Sequence, residues 1–118
     1  MIAPVFKLIS QANIAEITAD QIVRCFAAKQ APEGTMSPYV VWFSVGGEVH
    51  NNVDAPASAD HPNIQFSIYA ISEDEAELVA NQVRTAIEND CYVVTPPSME
   101  YELETGLTQI YFETSWII

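Results

Sequence analysis

Residues 64–89 read IQFSIYAISEDEAELVANQVRTAIEN, and a change of period inside this stretch decides the fold. In its first part Ile64, Phe66 and Ile68 alternate with Gln65, Ser67 and Tyr69, the two-residue period of a half-buried strand. From Ala76 the apolar residues instead fall at Ala76, Val79, Ala80, Val83 and Ile87, one stripe of a helix running to about residue 89. Between them Ser72-Glu73-Asp74-Glu75 is a capping box. The Ser72 hydroxyl can accept from the amide three residues on, and Glu75 can reach back. Glu73, Asp74, Glu75 and Glu77 also set negative charge at the positive end of the helix dipole. A strand feeding a well-capped amphipathic helix shows that the chain combines both kinds of element.

The flanking sequence selects α+β. Upstream, Pro4 suits a first helical position and Val5, Leu8 and Ile9 share a face, which predicts a helix of about fifteen residues with Asn13 or Thr18 as caps for further turns. The β-branched run Ile22-Val23-Arg24-Cys25-Phe26 predicts a strand, and Pro32, Gly34 and Ser37 a loop. Tyr39-Val40-Val41-Trp42-Phe43-Ser44-Val45 is apolar on both faces, as in a strand buried on two sides, and Gly46-Gly47 ends it. Downstream, Cys91-Tyr92-Val93-Val94 is a short strand stopped by Pro96-Pro97. Met99, Tyr101 and Leu103 then alternate with Glu100, Glu102 and Glu104, a strand with one wet face. Thr105-Gly106 turns the chain into a last strand over 107–118, with Ile110, Phe112, Trp116 and Ile118 on one side. The order expected is α-β-β-β-α-β-β: a mainly antiparallel sheet with one long and one short helix packed on one face. The final strand, at the end of the sequence, is expected to offer a free sheet edge.

At 118 residues the chain fits a single domain, 1–118, with 49% apolar residues for a core. Its charge is lopsided: sixteen acids against Lys7, Arg24, Lys29 and Arg84, a net −12. Four scattered bases make no phosphate-binding patch, which argues against nucleic-acid binding, and the same deficit argues against anionic membranes. The acidity serves solubility, or it keeps a surface from sticking to polyanions. Cys25 and Cys91 sit in apolar stretches and read as buried reduced thiols. The start, Met-Ile-Ala-Pro-Val-Phe-Lys, carries no signal-peptide pattern and no apolar run approaches a membrane span, so an intracellular soluble protein is expected.

No constellation of catalytic residues emerges. Glu100, Glu102 and Glu104 share a strand face, but Ca²⁺ wants six to eight oxygens from a wrapping loop, and a solvated face explains them. His50 and His61 flank a long loop with Asp54 and Asp60, yet the spacing matches no zinc motif. Neither cysteine has a nearby His or base to activate it. There is no Gly-rich phosphate loop and no serine in a nucleophile elbow. No catalytic residue, cofactor or metal is therefore expected. Tyr39, Trp42, Tyr69, Tyr111 and Trp116 are either core or surface that meets a neighbouring subunit.

Several features taken in order carry a resemblance. A short N-terminal helix, a strand and a Pro-bearing loop lead into Ser37-Pro38-Tyr39-Val40-Val41-Trp42. The polar connection Asn51-Asn52-Val53-Asp54-Ala55-Pro56 follows, then the strand 64–70 and the helix with its Val83-Arg84 step. Glu104-Thr105-Gly106-Leu107 opens the last strand, which runs through Phe112-Glu113-Thr114-Ser115-Trp116. Over nearly its whole length this resembles the tail completion, or tail terminator, proteins of long-tailed bacteriophages. The resemblance implies a structural virion protein with no catalysis. It implies a homo-oligomeric ring, a hexamer, on the head-proximal end of the tail tube. The tube protein and a head completion or connector protein are its partners, and genomic DNA passes through the ring without specific binding. The location implied is the virion tail, with the host cytoplasm during assembly. Docking segments implied at the level of position are the loop 50–62 (His50, Asn52, Asp54, Pro56, Asp60 and His61), the turn 95–99 (Pro96, Pro97 and Met99), and Trp116. Another head–tail connector or tail component is the nearest alternative, and a small acidic module that inhibits or mimics a DNA-binding partner is a third.

Overall fold

The computed structural model describes residues 4–19, 22–27, 35–45 and 63–116. The architecture is α+β, with a mostly antiparallel sheet and two helices among the described residues. The chain opens with α1 (Val5–Gln11), a single 3₁₀ turn (Ala15–Ile17) and a small hairpin of β1 (Thr18–Ala19) and β2 (Ile22–Val23). Then come β3 (Cys25–Ala27), β4 (Tyr39–Ser44), β5 (Asn63–Ala70), α2 (Glu73–Ile87), β6 (Cys91–Val93), β7 (Ser98–Glu102) and β8 (Leu107–Trp116). The main sheet has six strands in the order β3-β4-β5-β8-β6, with β7 also on β8. Its pairs are antiparallel except β3 with β4.

Both helices lie on one face. Register places Val40, Ile68 and Ile110 in one row and Trp42, Phe66 and Phe112 in the next. These rows meet Val5 and Ile9 of α1 and Ala76, Val79, Val83 and Ile87 of α2 in one core cluster. Phe66 and Phe112 stack with centroids 5.5 Å apart. α2 follows its sequence pattern closely: the five stripe residues are buried. Ser72 Oγ accepts from the Glu75 amide at 3.2 Å, and the Glu75 carboxylate reaches back to the amide of Ile71 at 3.3 Å, one residue beyond the capping residue.

Several expectations change. The first helix stops at Gln11, about half the length expected. Asn13 takes the left-handed conformation at φ 54, which asparagine tolerates better than most residues, and the chain turns there so that Ile14 and Ile17 reach the core. Asn13 caps no helix; Thr18 caps the C-terminal end of the 3₁₀ turn, its hydroxyl donating to the Ile14 carbonyl at 2.8 Å. The run from Ile22 to Phe26 is two strands, because Arg24 interrupts it. Its amide donates to Ile17 O, its carbonyl accepts from the Val40 amide, and its guanidinium donates to the Pro38 and Glu16 carbonyls at 2.9 and 2.7 Å. In β4, Val40 and Val41 are buried on opposite faces, but Tyr39, Trp42 and Phe43 are only half-buried, so two-sided burial holds for its centre alone.

The strand β7 has no dry face. Met99 lies opposite Ile110 and Tyr101 opposite Thr108, on the helix-bearing side. Tyr101 is nevertheless 62% exposed, and Leu103 in the following turn 88%, because β7 extends beyond the layer formed over β5 and β8. Finally, β8 is an interior strand. It pairs with β5 along one edge and with β6 and β7 along the other, so it offers no free edge. Trp116 belongs to the core, 1% exposed, with Nε1 donating to Thr114 Oγ1 at 2.8 Å and that hydroxyl donating to the Ile64 carbonyl at 2.9 Å.

Two substitutions check this account by urea unfolding. Trp116→Ala removes the largest fully buried side chain and is expected to cost about 3–5 kcal/mol. Ser72→Ala removes the α2 cap and is expected to cost about 1 kcal/mol, with faster amide exchange confined to the first turn of α2.

Candidate interaction surfaces

The face of the sheet turned away from the helices is built from the alternate residues of the same strands. One row runs Tyr39, Tyr69, Gln109, Glu100 across β4, β5, β8 and β7; the next runs Val41, Ser67, Tyr111, Ser98. Phe43, Gln65 and Glu113 form a third, and Glu102 lies opposite Leu107 at the β7 end. Most of these side chains are half-buried, shielded by their neighbours on the face. The β3–β5 side is aromatic. The Tyr39 and Tyr69 rings stack at 5.1 Å with 23° between planes, and Phe26 meets Tyr39 edge-on at 6.4 Å and 64°.

The β8–β7 side is acidic. Tyr111 donates its hydroxyl to Glu100 Oε2 at 3.0 Å, Thr105 donates to Glu102 Oε1 at 2.9 Å, and Asn63 donates to Glu113 Oε2 at 3.2 Å. Each carboxylate thus accepts from a neutral donor. Partial burial raises the phenol pKa values of Tyr39 and Tyr69, and the charge of Glu102 raises both further, so both rings stay neutral well into alkaline pH.

The outer strands of the sheet are β3 on one side and β6 and β7 on the other. The connection between β6 and β7 contains Pro96 and Pro97, both exposed, and Met99 follows, 39% exposed. Prolines lack the amide that a ladder needs, so this stretch interrupts pairing along that edge. Along this side of the sheet Tyr92, Val94, Met99, Tyr101 and Leu103 are all exposed. A groove of about 660 Å³ runs between α1 and α2, lined by Leu8, Ile14 and Ala86 with Gln11, Asn81 and Thr85 among others. Among the described residues no charged side chain lines it.

Of the docking positions implied by resemblance, Pro96, Pro97 and Met99 lie together at the surface. Trp116 lies in the core and presents no ring there. His50, Asn52, Asp54, Pro56, Asp60 and His61 fall outside the described residues. The open face escaped the sequence reading, although Gln65, Ser67 and Tyr69 were legible as one side of a strand. Their partners on β4, β8 and β7 depend on register, which carries no local signal.

Among the described residues no cluster of three His, Cys, Asp or Glu is placed to hold a metal, and no helix is long and apolar enough to cross a membrane. Neither a family model nor a curated protein matches the sequence.

Cys25 and Cys91 are free, buried thiols. Burial pushes Cys25 up to about 12. Burial, with the charge of Asp90 beside it, pushes Cys91 up to about 11 against the lowering effect of a hydrogen bond with Thr114. At pH 8 both are expected to react with a thiol reagent on the order of 100-fold or more slower in the folded protein than in urea, since the thiolate is the nucleophile. The linkage has a definite sign. The folded thiols hold their protons while the unfolded ones, near 9.0, release them. Their contribution to stability is therefore full below pH 9 and falls as pH rises toward about 11 and 12. Urea midpoints measured between pH 8 and 11 check this, and Cys25→Ala is expected to flatten part of the decline.

Proposed function

We propose that this chain is a structural protein of a bacteriophage virion, a ring-forming tail terminator that caps the head-proximal end of the tail tube and joins it to the head connector. The ordered sequence resemblance suggests the reading. The observation that carries it in the fold is a sheet whose two described helices both lie on one face, with an outer strand at each side, β3 and β6–β7. Such a subunit is suited to head-to-tail assembly, in which the β3 side of one copy approaches the β6–β7 side of the next and rotation closes the ring. The exposed turn with Pro96, Pro97 and Met99, beside Tyr101 and Leu103, supplies apolar surface for that contact or for the tube and connector proteins. The segment 50–62 is the second docking element.

In this reading the chain catalyses nothing, and its work is done by interfaces. The net charge of −12 leaves DNA free to pass through the ring, since no patch of bases neutralises phosphates. The protein acts in the virion, after assembly in the host cytoplasm. A different head–tail connector uses the same surfaces. The acidic, tyrosine-bearing open face favours one further reading, a small binding module for a basic protein; presence in or absence from purified particles separates it from the virion readings.

Sedimentation velocity and electron microscopy of the purified chain test the proposal. A discrete hexamer with a central channel is expected at assembly concentrations. A strictly monomeric species up to those concentrations, with no rings in the presence of tail tubes, overturns it.

A further inference from the structure

The open face pairs an aromatic platform with fixed negative charge, and its strand registers place no Lys or Arg on it. Tyr39 and Tyr69 present stacked rings. Gln109 and Glu100 continue their row, and Glu102 stands at the next position on that side of β7. Neighbouring strands lie about 4.8 Å apart, so roughly 10–15 Å separates the stack from the carboxylates of β7, within the span of a few residues of an extended peptide.

We propose that this face docks a partner protein through an arginine-bearing segment, with one guanidinium lying on the Tyr39–Tyr69 stack and others meeting Glu100 and Glu102.

Charge complementarity selects the occupant. A guanidinium is planar, stacks on aromatic rings and donates in a fork that fits a carboxylate, so arginine suits this pairing better than lysine. A polyanion is repelled. A second copy of the chain is poorly matched. Of its four bases, Arg24 is engaged by the Pro38 and Glu16 carbonyls, Lys7 and Arg84 lie on the helices, and Lys29, outside the described residues, is a single lysine and no arginine segment. The segment 46–62 of the same chain is also mismatched, with Glu48, Asp54 and Asp60 and neither Lys nor Arg. The effect of Glu102 on both phenols agrees with a shared field over the platform. This assignment goes beyond the ring reading and stands without it; within a ring it gives the open face to a protein and leaves the channel wall to other surfaces.

The full chain, labelled with ¹⁵N, is titrated with a capped peptide of three arginines separated by Gly-Ser, and with its lysine counterpart. The salt is about 150 mM, where exposed charges beyond about 8 Å are screened. Shifts are expected to concentrate at Tyr39, Ser67, Tyr69, Glu100, Glu102 and Gln109. Glu102→Gln and Tyr69→Leu are each expected to weaken arginine-peptide binding by about tenfold, and the lysine peptide to bind several-fold more weakly. Glu77→Gln, an equal loss of charge on an exposed position of α2, is expected to leave affinity within about twofold, the size of a distant screened charge effect. The proposal is overturned if shifts spread over the α2 acids or if Glu77→Gln weakens binding as much as Glu102→Gln, either of which is attraction to net charge. Absence of saturable binding at millimolar peptide overturns it as well. Because no assembly is required, failure here leaves the ring reading intact, and a monomeric chain leaves this result intact.

Discussion

The ladder between β5 and β8 joins the two sides of α2 in sequence and sets the position of everything else. Asn63 to Ala70 pair residue by residue with Ser115 to Thr108, and the pairing brings Phe66 onto Phe112. Because both strands alternate, one choice of register commits Ile64, Phe66, Ile68 and Ala70 on one strand and Thr108, Ile110, Phe112, Thr114 and Trp116 on the other to the same side. A slip by one residue would send all of them to the opposite face. α2, tethered to the end of β5, then has one apolar surface to lie on, and its buried stripe matches it. Thr108 and Thr114 are the buried polar residues of this layer; the Thr114 hydroxyl bonds both the Ile64 carbonyl and the Trp116 indole, while Trp42 Nε1, in the row of Phe66 and Phe112, is buried without a hydrogen-bond partner among the described residues.

The same ladder determines what remains open. Among the described residues, helices of seven and fifteen residues cover one face of a six-stranded sheet. The opposite face and the β7 extension must therefore be tolerable in water or be covered by something else. The open face has been made tolerable with tyrosine, glutamine and glutamate, side chains that protect the backbone while keeping polar tips. The β7 extension has not: Tyr101 and Leu103 project from a two-stranded ribbon with no layer beneath, an arrangement of marginal stability on its own. A subunit with this combination is stabilised when its exposed apolar residues find a neighbour, which is the physical basis for reading it as an assembling protein.

What was legible in the sequence followed from local rules. α2 was readable from end to end because its cap, its dipole charges and its 3.6-residue stripe agree. The alternation in β5 and β8 was equally clear. The first helix was overread because the apolar spacing of Val5, Leu8 and Ile9 says nothing about where a turn must send Ile14 and Ile17. Arg24 was invisible as a breaker, since its role comes from carbonyls of residues far from it in sequence. Trp116 looked like a candidate for an interface because a terminal aromatic residue in a strand is ambiguous; only pairing on both edges of β8 places it inside. The candidate surface was the least legible part, since Tyr39, Tyr69, Glu100 and Glu102 meet only through register across four strands.

The acidity itself divides into two populations once the residues are placed. Glu73, Asp74 and Glu75 have a local reason to exist: they face the positive end of α2, and Glu75 closes the capping box. Replacing them would weaken a helix. Glu100 and Glu102 have no such reason. They sit on a strand, where glutamate is disfavoured, beside tyrosines whose ionisation their neighbourhood opposes, and they accept from the neutral hydroxyls of Tyr111 and Thr105. Their side chains contribute nothing to the core that an uncharged residue would not. A net charge of −12 by itself serves solubility, but charge fixed against an aromatic platform on the face of the sheet opposite the two described helices is charge with an orientation, and orientation is what a specific partner reads.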